Sequence, residues 1–276
     1  MKPSVAVGFL IFSVLAVVAA VLAVVFMPFL DRTSVAAELA VAEPVPARPS
    51  APRAEYLPPL PAQAPGALQA QVLRGQELLL DTRHQLPAHT GNSLVCANCH
   101  FSAGLNEGGK NDGFSLVGVA ARLPSNDPGL GLEPRVAACF RRSLNATPPP
   151  AGGPEMLAIL AYLRWISAGV PFLSDVPWLH TAPLTSAAPA DLAAGQRTLR
   201  EICAPCHGPN GQGTRIAPAL YGPQSYSTQS PILHAGILER FIHDNMPRGK
   251  PDLSGTSAVD VAAFVRAQGR PAAPAP

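Results

Sequence analysis

The pentapeptide Cys-x-x-Cys-His occurs twice, as Cys96-Ala97-Asn98-Cys99-His100 and as Cys203-Ala204-Pro205-Cys206-His207. No other feature constrains the chain so tightly. Two thiols three apart can each add across a vinyl group of one haem, and the adjoining histidine then lies under the iron as an axial ligand. The two histidines stand 107 positions apart. The pattern therefore predicts two covalently bound haem c groups, attached through Cys96, Cys99, Cys203 and Cys206, with His100 and His207 as proximal iron ligands. Other uses of the cysteines fit poorly. Zinc sites built from paired Cys-x-x-Cys set the pairs about 12–20 residues apart, and a thioredoxin-type dithiol needs a βαβ setting that the flanks lack.

Haem c is attached outside the cytoplasm, and the N-terminus agrees with that address. Val5 to Phe26 is an uncharged apolar run of 22 residues, interrupted by a single hydroxyl at Ser13. Such a run is long enough to span a bilayer as a helix. It exceeds the apolar core of a cleaved signal peptide, and the nearest small-x-small site, Ala40-Val41-Ala42, lies well past Pro28. No cysteine precedes Cys96, which excludes a lipoprotein anchor. The expectation is an uncleaved single-pass anchor over 1–30, with the haem domains on the periplasmic side of the cell membrane. Residues 31–66 are punctuated by prolines from Pro44 to Pro65 and read as an extended tether.

The remainder, roughly 210 residues, suffices for two domains of about 100 residues each. Gly75-Gln76 precedes the first motif and Gly195-Gln196 the second, each opening an expected helix. After each motif comes an apolar helical pattern with an aromatic in a matching place, at Ile159–Arg164 and at Val261–Arg266. Gly75 to Cys96 is 21 residues and Gly195 to Cys203 is 8, so the first unit carries an insertion around Leu86 to Asn92. Neither unit shows period-2 alternation bounded by hairpin turns. The expected fold is all-α: two tandem class I cytochrome c-like domains, 67–175 and 190–270, joined by a linker at 176–189 and followed by a tail at 271–276. A net charge of +2 without a basic run makes nucleic acid an unsuitable partner.

Each iron needs a sixth ligand. For the second haem the candidate is Met246, 39 residues after His207 and followed by Pro247; a thioether there raises the reduction potential. His243 is the alternative ligand, and a packing role for Met246 stays open. Pro205, Gly208, Gly211 and Gly213 suit a loop round the haem edge, where glycine allows positive φ. The first unit has no Met-Pro equivalent. Of the five cysteines the haems take four, leaving Cys139 among Arg135, Arg141 and Arg142. A thiolate is a strong iron ligand, and a cationic setting lowers a thiol pKa. An inert buried thiol, with His84 or His89 as ligand, is the alternative.

At Gly91–Cys96, Ser115-Leu116-Val117-Gly118 and Arg135–Asn145 the chain resembles the N-terminal half of TsdA-type thiosulfate dehydrogenases. Leu220-Tyr221-Gly222-Pro223, Phe241-Ile242 and Asn245-Met246-Pro247 resemble the second half, so the likeness covers roughly residues 70–270. The Cys139 segment is its specific part. The resemblance implies a dihaem enzyme that oxidises thiosulfate to tetrathionate or runs the reverse. It implies that electrons pass from the first haem to the second and on to a redox partner, a cytochrome or an oxidase. It implies Cys139 as iron ligand at the catalytic haem, Arg135 and Ser143 beside it, and Arg122 as a further anion-binding arginine. The stretch Asn145-Ala146-Thr147-Pro148-Pro149-Pro150 departs from that family's Asn-Gly turn.

Elementary electrostatics agrees. Two dianions about 4 Å apart repel by roughly 4 kcal/mol even at a water-like dielectric, so a site joining them needs fixed cations. Arg122, Arg135, Arg141 and Arg142 crowd the segment that carries the spare cysteine. Two rivals remain at this stage. A pure electron-transfer cytochrome would have no use for Cys139. A SoxA-like sulfur-oxidation cytochrome would not carry its own methionine-ligated second domain.

Overall fold

The computed structural model describes residues 58–106, 111–122, 131–170, 179 and 181–275. All of them fall in one compact unit, Arg48–Pro276. The apolar run Val5–Phe26, most of the proline-rich tether and most of the connection between the halves lie outside the described residues. No helix among the described residues is long and apolar enough to cross a membrane. None of them forms a β-strand; the fold is helical, as the missing period-2 pattern required.

Helix α1 (Gly66–Leu80) opens the first half and buries Val72, Gly75, Leu78 and Leu79, a single stripe at helical spacing. After it come α2 (Thr82–Gln85), a 3₁₀ turn at Pro87–His89, and, beyond the first haem motif, α3 (Val119–Arg122). Helix α4 (Leu132–Leu144) carries Glu133 in its first turn and Arg141 and Arg142 in its last, complementing the helix dipole at both ends. It stops at Asn145, which adopts the left-handed conformation with φ 54°, a role usually given to glycine. Helix α5 (Pro154–Trp165) begins on a proline, whose missing N–H costs nothing in the first turn.

In the second half α6 (Leu192–Thr198) runs through a π turn at Leu199–Cys203 into α7 (Ala204–His207). Helices α8 (Ile237–Asn245) and α9 (Gly255–Ala267) follow. Side chains cap two of these starts. Asp191 accepts from Ala193 N–H at 2.8 Å and Ala194 N–H at 2.9 Å, and Ser254 accepts from Ser257 N–H at 3.1 Å.

Each half is built on one crossing. Helix α1 packs on α5, and α6 on α9. At the first crossing a Cβ on Gly75 would fall 2.6 Å from the Tyr162 Cβ and nearer still to the Ala158 carbonyl oxygen. At the second, a Cβ on Gly195 would fall 3.0 Å from the Phe264 Cβ and nearer still to the Asp260 carbonyl oxygen. The repeated glycines and aromatics are thus the contact points of equivalent helix pairs. Tyr162 is wholly buried, and its hydroxyl donates to the Ala103 carbonyl at 3.1 Å.

The inserted residues of the first half have a structural use. Asn92, 4% exposed, donates through Nδ2 to the Ser143 carbonyl at 2.8 Å and to the Ser225 carbonyl at 3.1 Å. Asn145 donates to the same Ser225 carbonyl at 2.6 Å, and Ser227 Oγ donates to the Arg142 carbonyl at 2.8 Å. A segment of the second half is thereby bonded to the end of α4.

Candidate haem-binding site

Cys96, Cys99 and His100 lie on the wall of a mostly apolar, partly open cavity, the kind of concave site in which cofactors bind. Helix α4 supplies another wall through Leu132, Arg135, Val136, Cys139, Phe140, Ser143 and Leu144. These positions step by three and one, the spacing of one helical face. Three of the expected site residues, Arg135, Cys139 and Ser143, therefore line up along one stripe. Arg141 is absent from the cavity wall, and Arg142 turns its Nε back to the Ala138 carbonyl at 3.4 Å. The arginine cluster seen in sequence thus splits, with Arg135 on the cavity face. Arg122 ends α3, and its side chain lies outside the described residues. Ser143 Oγ lies 3.2 Å from Ser230 Oγ of the second half.

The imidazole of His100 is oriented from behind. Its Nδ1 lies 2.8 Å from the Phe114 carbonyl oxygen, which can only accept; Nδ1 carries the proton and Nε2 keeps a free lone pair. Burial, opposed by that hydrogen bond and aided by the Arg135 charge, holds the His100 pKa below its ordinary value. The ring is accordingly neutral, as a metal ligand must be. The second motif repeats the device: His207 Nδ1 lies 2.7 Å from the Pro218 carbonyl oxygen, and burial again lowers its pKa.

As free thiols Cys96, Cys99 and Cys203 are not activated. Burial pushes Cys96 to about 11, Cys99 to about 12 and Cys203 to about 11. A redox-active dithiol shows the opposite shift, so the raised values argue against a thioredoxin-like use of the Cys96–Cys99 pair. Thr82 positions Cys96: its hydroxyl lies 3.3 Å from Sγ and accepts from the Cys96 N–H at 3.1 Å.

Cys139 departs from the sequence expectation in one respect. Arg135 and Arg142 do pull its pKa down, but burial outweighs them and leaves it raised. Surface charge counting misses this because the thiol faces an apolar cavity, where desolvation dominates. A coordinated metal deprotonates such a thiol outright. His84 and His89 turn away from the cavity: His84 pairs with Asp81 at 2.6 Å, 78% exposed, and His89 meets the Thr147 carbonyl at 2.8 Å.

In the second half Met246 caps the end of α8, half-buried against the core, while His243 pairs through Nδ1 with Asp244 at 2.6 Å. Gly208, Gly211 and Gly213 have φ of 84°, 61° and 86° and carry the loop that follows His207. Pro205 belongs to α7 and not to that loop. Cys206 is exposed.

The donor set fits haem c: two thiols and a neutral imidazole with a free lone pair, facing an apolar cavity with a further sulfur on its wall. Sequence reasoning missed Thr82, Phe114, Pro218, Asn92 and Ser230. The two carbonyls had a usable signal, since they lie 14 and 11 residues beyond their histidines.

Fold and motifs define a c-type cytochrome, and comparison with known proteins agrees. Residues 190–265 match the family described as cytochrome c oxidase, cbb3-type, subunit III. The chain is 36% identical over 217 residues to a thiosulfate dehydrogenase of Allochromatium vinosum, covering 75% of this chain and 80% of the relative. It is 32% identical over 226 residues to that of Stutzerimonas stutzeri, covering 78% and 71%. A solved thiosulfate dehydrogenase (TsdBA) from Marichromatium purpuratum superposes with a TM-score of 0.70 at 27% identity. That match covers 79% of this chain, which spans 50% of the other's length. The chain belongs to the thiosulfate dehydrogenase family.

Proposed function

We propose that this protein is a dihaem cytochrome c that oxidises thiosulfate to tetrathionate, or reduces tetrathionate, at the Cys139 cavity. One observation carries the proposal: a fifth cysteine and an arginine share a helical stripe facing the Cys96–His100 haem motif. The reaction joins two thiosulfates through a new sulfur–sulfur bond and releases two electrons. Haem c, when bound, supplies a one-electron couple at each motif, the first exchanging electrons with substrate and the second with a cytochrome or oxidase partner.

The chain's own residues divide the remaining tasks. Cys96 and Cys99 tether the first haem, and Cys203 and Cys206 the second. His100 and His207 are held with Nε2 bare for iron by the Phe114 and Pro218 carbonyls. With haem bound, Cys139 would serve as the sixth ligand at the first site and Met246 at the second, which would give the first a low potential and the second a high one. Arg135 offers a fixed cation to the dianion, and Arg122 is assigned the same role from the family resemblance. Ser143 adds a hydroxyl beside Arg135. Arg135 is exposed, so its attraction for a dianion acts partly through solvent and is screened by salt.

The same reading places cytochrome c domains at 67–175 and 190–270, joined by 176–189 and tethered through 31–66 to an N-terminal span over 1–30. The apolar length of Val5–Phe26 and the extracytoplasmic chemistry of haem c attachment support a single-pass protein facing the periplasm.

The test is Cys139→Met in the full-length holoprotein. Both haems should stay attached by mass, while thiosulfate-dependent reduction falls by orders of magnitude. Normal turnover by this variant would make the protein an electron shuttle, and a wild-type mass with fewer than two haems would end the dihaem reading.

A further inference from the structure

Asn245 is only 3% exposed, which is costly for an amide unless both its ends are bonded. Both are. Its Oδ1 accepts from the Gly113 N–H at 2.8 Å, and its Nδ2 donates to the Phe241 carbonyl at 3.1 Å. Gly113 belongs to the first half and immediately precedes Phe114, whose carbonyl holds His100. Asn245 belongs to the second half and immediately precedes Met246. The contact is closed by the rings of Phe114 and Phe241, with centroids 5.1 Å apart. A second pair of bonds runs alongside: Asn111 N–H donates to the Asp244 carbonyl at 2.8 Å, and Asn111 Oδ1 accepts from Gly249 N–H at 2.9 Å. The Met246 turn is therefore fastened on both sides to the segment that orients His100.

We propose that Asn245 is a positioning residue that locks the Met246 turn to the Gly113-Phe114 segment, so that the axial ligands of both irons are set together. The inference rests on the dihaem reading above. Its physical content is reciprocal coupling: a displacement of either ligand segment has to move the other. Loosening the Met246 turn weakens thioether ligation and lowers the potential at the second iron. Loosening Gly113 weakens the Phe114–His100 hydrogen bond, makes the imidazole a poorer donor and raises the potential at the first. The two potentials should converge when the lock is cut.

Spectroelectrochemical titration of the full-length holoprotein reads this directly, with each wave assigned by the spectrum of its ligand set. Asn245→Leu keeps the side chain's size and removes both bonds; the high-potential wave should fall and the low-potential wave should rise. A shift confined to the second haem would overturn the proposal, because a local packing role predicts only that. Asn111→Gly tolerates the φ of 69° at this position and removes only the Gly249 bond, from the opposite half. It should lower the second haem's wave with both haems retained, and it serves if Asn245→Leu does not fold. An unmoved second wave in Asn111→Gly would also overturn the proposal. Failure of the dihaem reading would show separately, as a single wave in the wild-type protein.

Discussion

Gly75 meets Tyr162 so closely that a Cβ on the glycine would stand 2.6 Å from that of the tyrosine. The α1–α5 crossing is therefore set by a hydrogen atom. Adding a methyl group must push the helices apart, because the nearer obstacle is the Ala158 backbone carbonyl and not a flexible side chain. Gly75→Ala should destabilise the fold by about 1–3 kcal/mol or more, although alanine is the better helix former. Gly195→Ala should behave alike at the second crossing. Denaturant unfolding measures both; a Gly75→Ala protein as stable as wild type would mean that the helices do not approach this closely.

Arg135 and Arg141 should differ in effect although they lie six residues apart. Arg135 faces the Cys139 cavity and Arg141 does not. Arg135→Ala should raise the half-saturating thiosulfate concentration about tenfold, corresponding to ~1.4 kcal/mol, and Arg141→Ala should leave it within about twofold. The difference between wild type and Arg135→Ala should narrow as ionic strength rises, since salt screens the attraction that the variant has lost. Steady-state kinetics across a salt series checks this. Equal effects of the two substitutions would remove Arg135 from substrate binding.

Met246→Ala should abolish the high-potential wave and leave the low-potential wave in place. His243 is the competing ligand, and its Nδ1 is occupied by Asp244. His243→Ala should therefore keep the high-potential wave. A titration in which His243→Ala loses that wave while Met246→Ala retains it would exchange the two assignments.

Asp191 predicts a feature of the acid limb of stability. The Ala194 and Ala193 N–H groups hold its carboxylate pKa below the ordinary value. The folded state thus favours the charged form more than the unfolded chain does. Its contribution is fully present above the ordinary carboxylate pKa, near 4, and is lost as pH falls through the lowered folded value. Asp191→Asn retains a capping oxygen without the charge, so its urea midpoint should depend less on pH between about 5 and 2. An unchanged pH dependence would place the acid sensitivity elsewhere.

Residues near one another in the chain were legible and residues far apart were not. The two haem motifs, the paired glycines and the helix pattern after each motif could be read because each is a local arrangement. The stripe Arg135, Cys139, Ser143 was within reach, since steps of four imply one face; treating the nearby arginines as one cluster hid it. The Cys139 thiol shows why charge counting alone misjudges a site, because the flanking arginines are visible in sequence and the burial that outweighs them is not. Asn92 and Asn245 lie in segments that carry the family resemblance, but nothing local names their partners. Each bonds across the two halves to a partner more than 130 positions away, a distance at which no pattern in a single sequence points to the partner.

Asn92, Asn145 and Ser227 also limit how this protein could be rebuilt. The carbonyls and amides that they join belong to different halves, and Ser225 and Ser227 are completely enclosed. A first half excised on its own would present those bonding groups to water along the very helix that carries Cys139. A chimera that borrows the second half of a relative would have to import the segment around 224–230 to keep the end of that helix bonded. The natural boundary for such grafting is thus not the proline-rich connection between the halves, because the bonds that hold the Cys139 helix reach past it to Ser230.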